Sequence, residues 1–247
     1  VSIPGYKSMP KHATGKLPTI ILPHGGPATK VNKDFSYWTQ FFVNQGYAVI
    51  EMNFRGSAGL GYSYLQAGFG SWADQIHNDI TDGVRWAIES GIADPEQMCI
   101  VGGSFGGYAA LLGVAREPNL YTCAVAFAPV SDLLSLKRTS SRYLNSELIE
   151  GQIGSDKKQL KRSSPRRMAD QVQVPVLIMH GEKDRVVDVK QGRGMDKALR
   201  NAGKVVIYVE LADGDHYLSI EENRLHAFGL MEDFLSRHLT RPLLPAS

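Results

Sequence analysis

Residues 98–108 read MCIVGGSFGGY, an apolar run that leads into the pattern Gly-x-Ser-x-Gly. Small and apolar residues continue at helical spacing beyond it, so the order predicts a strand, a sharp turn and a helix. Glycines 102 and 106 suit such a turn, because a Cβ at either position would collide with the tight backbone. The turn would expose the Ser104 hydroxyl and aim the Phe105 N–H toward a developing oxyanion. The alternative is a glycine-rich turn with an incidental serine.

The length and composition suit one large α/β domain. The chain has 247 residues, of which 43% are hydrophobic, and its formal net charge is +2. It can therefore bury a full core, and its charge gives no general attraction to nucleic acid. No apolar run approaches the roughly 18 residues of a membrane span. We expect a single domain over residues 1–247, with neither a nucleic-acid nor a membrane partner.

The two cysteines, Cys99 and Cys123, both lie in apolar strand-like runs. Buried free thiols are the expectation, and one disulfide is the alternative. The first residues contain no basic start and no signal-like apolar core. Reduced cysteines and the lack of a signal together predict a cytoplasmic location.

Short apolar runs alternate with helical patterns along the whole chain. This alternation predicts an α/β fold with a mostly parallel sheet and helices on both of its faces. A turn at Asp94-Pro95 is expected to lead into the strand before Ser104. Besides that strand and the helix after it, strands are expected at 17–23, 47–53, 122–127, 174–181 and 205–210, and helices at 35–45, 72–90, 189–202 and 219–238.

Residues 133–170 differ from the rest of the chain, because they are polar and basic. We interpret them as a helical excursion over the site, with a solvated charged face, and not as a separate domain. The alternative is a patch that faces a partner domain or an acidic substrate. The basic residues are Lys137, Arg138, Arg142, Lys157, Lys158, Lys161, Arg162, Arg166 and Arg167.

Three residues suited to nucleophilic catalysis each follow a predicted strand: Ser104, Asp184 and His216. The carboxyl ends of parallel strands form one edge of a sheet, and the order Ser, Asp, His is that of the α/β-hydrolases. Ser104 is too weakly acidic to attack unaided, so His216 would take its proton while Asp184 fixes the imidazole tautomer. Asp188, interpreted as a helix cap, and Asp215, which would have to fold back, compete for the acid role.

A second glycine motif, His24-Gly25-Gly26-Pro27, follows the first predicted apolar strand. Paired glycines let a backbone turn its amides outward, so the Gly26 N–H is predicted as the second oxyanion donor beside Phe105. His24 is interpreted as a structural hydrogen-bonding residue. The sequence contains no metal cluster and no cofactor fingerprint, so neither a metal nor a cofactor is expected.

Together these motifs resemble the catalytic domain of the prolyl oligopeptidase family of serine peptidases, especially its acylaminoacyl-peptidase and dipeptidyl-peptidase branches. The resemblance implies an α/β-hydrolase that cleaves short peptides through an acyl-enzyme, releasing an acylated residue or a dipeptide. A carboxylesterase on the same fold and an inactive binding domain are the alternatives. The motifs are HGGP at 24–27, NFRGS at 53–57, GGSFGGY at 102–108, HGxxD at 180–184 and Asp215-His216.

Substrate contacts and partners are also expected. Arg55, Arg185 and Tyr108 are the expected contacts, and the family's usual arginine two residues after the acid is Val186 here. Members usually carry an N-terminal β-propeller that restricts substrate size, which we expect to be absent from these residues. Short peptides are the expected substrates, and a separate propeller domain and a homo-oligomer are further expected partners.

Overall fold

A seven-stranded sheet forms the centre of the computed structural model, which describes residues 1–140 and 146–240. The strands are β1 (Gly5–Ser8), β2 (Leu17–Ile21), β3 (Ala48–Met52), β4 (Ala93–Gly103), β5 (Cys123–Phe127), β6 (Val176–Gly181) and β7 (Val206–Leu211). Their order across the sheet is β1-β3-β2-β4-β5-β6-β7. Only β1 is antiparallel to its neighbour in this described sheet, so the prediction of a mostly parallel sheet is confirmed.

Helices cover both faces of the sheet. The α-helices of the described residues are α1 (Tyr37–Asn44), α2 (Tyr62–Gln66), α3 (Gln75–Glu89), α4 (Phe105–Arg116), α5 (Leu133–Ser140), α6 (Ser146–Ile153), α7 (Lys157–Arg162), α8 (Lys190–Asn201) and α9 (Glu221–His238), and a 3-10 helix spans Pro165–Gln171. Helices α1 and α9 pack on one face, and α3, α4 and α8 pack on the other. Because both faces are covered, every residue of β2, β3 and β5 is buried, which explains why these strands are mostly apolar.

The predicted strands and helices are present with shifted ends, and two short elements were not expected. Strand β4 already begins at Ala93, where the sequence indicated a turn. Leu17 pairs with Ala93 while Thr19 pairs with Met98, so a bulge in β4 absorbs the intervening residues. The unexpected elements are β1, a short exposed edge strand without an apolar run, and α2, which forms inside a glycine-rich segment.

The two cysteines form a disulfide, which overturns the expectation of free thiols. Cys99 on β4 and Cys123 on β5 are paired residues of adjacent strands, and their Cα atoms are 4.8 Å apart. Paired residues project to the same face of a sheet, so strand pairing brings together two sulfurs that lie 24 residues apart in sequence. The disulfide removes the cysteine argument for the cytoplasm, and the location of the protein stays a prediction.

The described parts of the basic segment, residues 133–140 and 146–170, contain α5, α6, α7 and the 3-10 helix. Its predicted position over the site stays a prediction. Part of its charge is neutralised within the fold, because Arg166 lies 2.6 Å from the carboxylate of the buried Asp132. Arg142 lies outside the described residues. No helix in residues 1–140 or 146–240 is long and apolar enough to cross a membrane.

Candidate active site

Ser104 occupies the sharp turn between β4 and α4. Its φ is 57° and its ψ is −119°, a conformation that residues other than glycine rarely adopt. The surrounding backbone enforces this turn, since a Cβ at Gly102 would overlap Gly106 and a Cβ at Gly106 would overlap the carbonyl of Pro23. The Ser104 N–H donates to the carbonyl of Phe127 across 2.9 Å, which anchors the turn to β5. The side chain is left partly exposed, on the wall of a cavity.

His216 and Asp184 form a hydrogen-bonded pair beside that cavity. The two residues follow β7 and β6, and the His216 Nδ1 to Asp184 Oδ2 distance is 2.7 Å. Both side chains are buried, with 7% of the His216 side chain and none of the Asp184 side chain exposed. A carboxylate that accepts from Nδ1–H leaves Nε2 as the proton acceptor of the ring. His216 lines the same cavity as Ser104, so the serine hydroxyl and the imidazole base are both accessible from this cavity.

The carboxylate of Asp184 is held by several further donors. Its Oδ1 accepts from the N–H groups of Val186 and Val187 at 2.8 and 2.9 Å, and its Oδ2 lies 3.3 Å from His180 Nε2. Burial acts to raise the pKa of Asp184, but the hydrogen bonds from His180 and His216 outweigh it and keep the pKa below its usual range. The sequence gives no sign of the His180 contact, which arises because the turn after β6 folds Asp184 back over the strand end.

The competing acids are engaged elsewhere. Asp215 Oδ1 accepts from two N–H groups of its own loop, at 3.1 and 3.0 Å. Asp188 Oδ1 accepts from the N–H of Lys190 at the start of α8, at 2.9 Å, and so acts as the predicted cap. In the described part of the chain, no group of three or more His, Cys, Asp or Glu side chains is arranged to hold a metal ion.

Both predicted oxyanion donors belong to backbone that borders Ser104. A Cβ on Gly25 would lie 3.7 Å from the Ser104 Cβ, so the glycine loop 24–27 runs directly past the serine. Gly26 has a φ of +114°, which glycine tolerates best, and it lines the cavity. Phe105 is the first residue of α4, where a backbone N–H has no partner within its own helix.

The side chain of His24, the first residue of the glycine loop, is held by aromatic stacking and hydrogen bonds. Its ring stacks on Phe54 with centroids 4.2 Å apart, and its Nε2 lies 2.9 Å from Ser57 Oγ. Burial lowers the pKa of His24 to about 4, against the opposing effect of its hydrogen bond with Gly25. The ring is therefore neutral near pH 7, which agrees with its interpretation as a structural residue.

One of the three predicted substrate contacts, Tyr108, is corrected by its burial. Tyr108 is fully buried and its hydroxyl donates to a backbone carbonyl at 2.8 Å, so it is a core residue that no substrate can touch. Arg55 donates to the buried carboxylate of Asp79 from its Nε and its backbone N–H, and it is not part of the lining of the Ser104 cavity. The ion pair leaves part of the Arg55 side chain exposed, and its role as a substrate contact stays a prediction. Arg185 is exposed, and its role stays a prediction.

The cavity beside Ser104 has a volume of about 570 Å³, and sequence reasoning missed much of its lining. The start of α1 reaches over the site, but no local pattern shows where a helix docks. The lining that was not anticipated includes Ser36, Tyr37, Trp38, Glu51, Tyr217 and Leu218.

A strained serine turn on a mostly parallel sheet, beside a histidine that is hydrogen-bonded to a buried aspartate, defines a serine hydrolase of the α/β-hydrolase class. The model of the prolyl oligopeptidase family matches residues 33–241. The chain belongs to this family, as its motifs indicated.

Similar proteins agree with this membership. The chain is 35% identical to dipeptidyl aminopeptidase BIII of Pseudoxanthomonas mexicana, over 92% of this chain and 34% of that protein. It is 27% identical to acylamino-acid-releasing enzyme 1 of Oryza sativa, over 91% of this chain and 30% of that enzyme. The chain thus spans about a third of the length of these curated relatives. The structure of a puromycin-hydrolyzing peptidase of Mycobacterium tuberculosis superimposes with a TM-score of 0.91 at 24% identity, covering 97% of this chain and 38% of that one, and shows the same fold.

Proposed function

We propose that this chain carries the catalytic site of a serine peptidase that acts on short peptides. Ser104 is the nucleophile, His216 the general base and acid, and Asp184 the residue that orients His216. The observation that carries the proposal is the 2.7 Å contact between His216 Nδ1 and Asp184 Oδ2, beside a cavity that His216 shares with Ser104. Relatives named dipeptidyl aminopeptidase and acylamino-acid-releasing enzyme support dipeptidyl or N-acylated peptides as the substrate class.

Acylation begins when Ser104 Oγ attacks the carbonyl carbon of the peptide bond and its proton moves to His216 Nε2. The carbonyl oxygen becomes an oxyanion, and the N–H groups of Phe105 and Gly26 donate to it. His216 then gives the proton to the leaving amine, the C–N bond breaks, and the acyl group stays on Ser104 as an ester. Asp184 stabilises the imidazolium that forms on the way.

Deacylation repeats these steps with water. His216 takes a proton from the water molecule, whose oxygen attacks the ester carbonyl, and the same two N–H groups hold the second oxyanion. The C–O bond to Ser104 then breaks, and His216 returns the proton to the serine oxygen. The acid product leaves, and the site is restored.

The proposal is tested by fluorophosphonate labelling together with turnover of acylaminoacyl and dipeptidyl anilides and of short-chain nitrophenyl esters. We expect the wild type to be labelled and to cleave an anilide, because the probe reacts with an activated serine. Ser104→Ala should lose labelling and at least about a thousandfold in kcat while keeping its fold. Ser90→Ala, at an exposed serine after α3, is the matched control and should behave as wild type.

Other outcomes would contradict the proposal. Ester turnover without anilide turnover would indicate a carboxylesterase on the same fold. The absence of both labelling and turnover would indicate an inactive binding domain. Anilide turnover that survives in Ser104→Ala would show that another residue is the nucleophile.

A further inference from the structure

One acidic side chain lines the cavity beside Ser104. Glu51 on β3 is 8% exposed, and its Oε2 accepts a hydrogen bond from the Thr39 hydroxyl at 3.0 Å. Across residues 1–140 and 146–240, no ion pair joins this carboxylate to a lysine, arginine or histidine. Glu51 is therefore a buried carboxyl group without a basic partner in these residues, on the wall of the cavity that Ser104 and His216 also line.

A structural role accounts poorly for a carboxylate at this position. Burying a charge without a counter-charge costs free energy, and the hydroxyl of Thr39 supplies one donor but no charge. Burial raises the pKa of Glu51, and the hydrogen bond from Thr39 only partly offsets this. A positively charged group that entered the cavity would supply the missing counter-charge.

The other walls of the cavity suit a long cationic side chain. Tyr37, Trp38 and Tyr217 contribute aromatic rings to the same lining as Glu51. Aromatic surfaces pack against the methylene stems of lysine and arginine and attract their charged ends. The cavity thus has both aromatic side chains and a buried carboxyl group in its lining.

His216 lines the same cavity as Glu51. In the proposed mechanism His216 gives its proton to the leaving amine, so the leaving peptide must pass against His216. The lining includes His216 and the two residues after it, and residues 24–26 of the glycine loop. A leaving peptide in contact with His216 would therefore enter the cavity that Glu51 lines.

We propose that Glu51 selects substrates in which the residue after the cleaved bond is lysine or arginine. Its carboxylate accepts a charge-assisted hydrogen bond from the ammonium or guanidinium group, while the aromatic rings hold the stem. This inference rests on the proposed peptidase function and names its substrate class. It assigns to Glu51 a specificity role that is separate from the chemistry at Ser104.

The first test measures binding without catalysis. Calorimetry compares L-lysinamide with L-norleucinamide, two mimics of the leaving residue that differ in the ε-ammonium group. We expect wild type to bind lysinamide about tenfold more tightly, and Glu51→Gln to bind both equally, because one charge-assisted pair is lost. Glutamine keeps the size of the side chain and can still accept from Thr39. Glu89→Gln, at an exposed glutamate of α3, is the charge-matched control and should keep the wild-type ratio.

The second test measures turnover of matched peptides with lysine, arginine or norleucine after the cleaved bond. We expect kcat/KM to favour the two cationic residues about tenfold in wild type and Glu89→Gln, and the ratio to fall to about one in Glu51→Gln. Equal binding of both amides by wild type, or a preference that persists in Glu51→Gln, would overturn the inference. If peptide turnover fails but lysinamide is still preferred through Glu51, the cationic site stands and the proposed peptidase function is what fails.

Discussion

At the scale of single residues, the tautomer and orientation of His216 depend on Asp184. The Asp184 side chain is fully buried, yet hydrogen bonds from His180, His216 and two backbone N–H groups favour its ionised form. An ionised carboxylate can accept only from Nδ1–H, so it selects the tautomer of His216 in which Nε2 faces the nucleophile. The same network also limits rotation of the carboxylate.

Asp184→Asn should reduce kcat by about 10³- to 10⁴-fold, because an amide N–H facing His216 would favour the wrong tautomer. KM should change only a few-fold, since the substitution is nearly isosteric. The measurement is kcat and KM on the better anilide, with circular dichroism to verify the fold. Asp188→Asn removes a carboxylate that caps α8, and it should retain most of the wild-type kcat. An Asp184→Asn protein with more than about a tenth of wild-type kcat would contradict the assigned role.

At the scale of elements, β4 and β5 are joined twice, by their parallel hydrogen bonds and by the disulfide between Cys99 and Cys123. The pair lies on the face of the sheet that packs against α1 and α9. Since Ser104 follows β4 and its N–H donates to the last residue of β5, the same two strands position the nucleophile. The cross-link therefore supports the part of the sheet that carries the serine turn.

Removal of the disulfide should lower the free energy of unfolding by about 3 kcal/mol, because the bond closes a loop across 24 residues and restricts the unfolded chain. The measurement is urea denaturation with and without a phosphine reductant. The double variant Cys99→Ala with Cys123→Ala should show no response to the reductant. Two titratable thiols in the denatured, unreduced protein would contradict the pairing.

At the level of elements, the start of helix α1 differs from the start that apolar spacing predicts. Phe35 shares the helical spacing of Trp38 and Phe42, yet its side chain is 78% exposed. Helix α1 begins only at Tyr37, because Ser36 caps it and accepts from the N–H of Thr39 at 3.3 Å. The cap places Tyr37 and Trp38 at the cavity, a consequence that apolar spacing alone does not predict.

At the scale of the whole molecule, buried histidines make the stability of the fold sensitive to acid. His77 on α3 is 5% exposed, and burial first, with the charge of Arg116 second, lowers its pKa to about 4. Between about pH 6.5 and 4 the unfolded chain binds a proton at this position that the folded protein lacks. The free energy of unfolding must therefore fall as the pH falls through this window.

Lowering the pH from 7 to 5 should cost the wild type about 2 kcal/mol of unfolding free energy through His77 alone. His77→Gln should show a smaller loss over the same range, because glutamine does not titrate. Urea denaturation at both pH values measures the difference, with His226→Gln, at an exposed position of α9, as the control. An equal loss in wild type and His77→Gln would contradict this explanation.

Partners remain predictions at this scale. A propeller domain, a homo-oligomer and a partner for the basic segment 133–170 rest on the resemblance and on charge, and they are not used in the mechanism. Since the chain spans about a third of the length of its relatives, the substrate range of a whole protein depends on more than the site described above.

Sequence patterns alone predicted the strand and helix alternation, the serine turn and the order of Ser104, Asp184 and His216. These features follow from periodicity and from local turn chemistry, which act between residues close in the chain. The tertiary structure was needed to show that Tyr108 is a core residue, that Arg55 binds Asp79 and that the two cysteines form a disulfide. It also decided that Glu51 lines the cavity. Each of these outcomes depends on which strands pair and where helices dock. Such contacts join residues that are distant in the chain, and the local sequence around each residue does not indicate its distant partner.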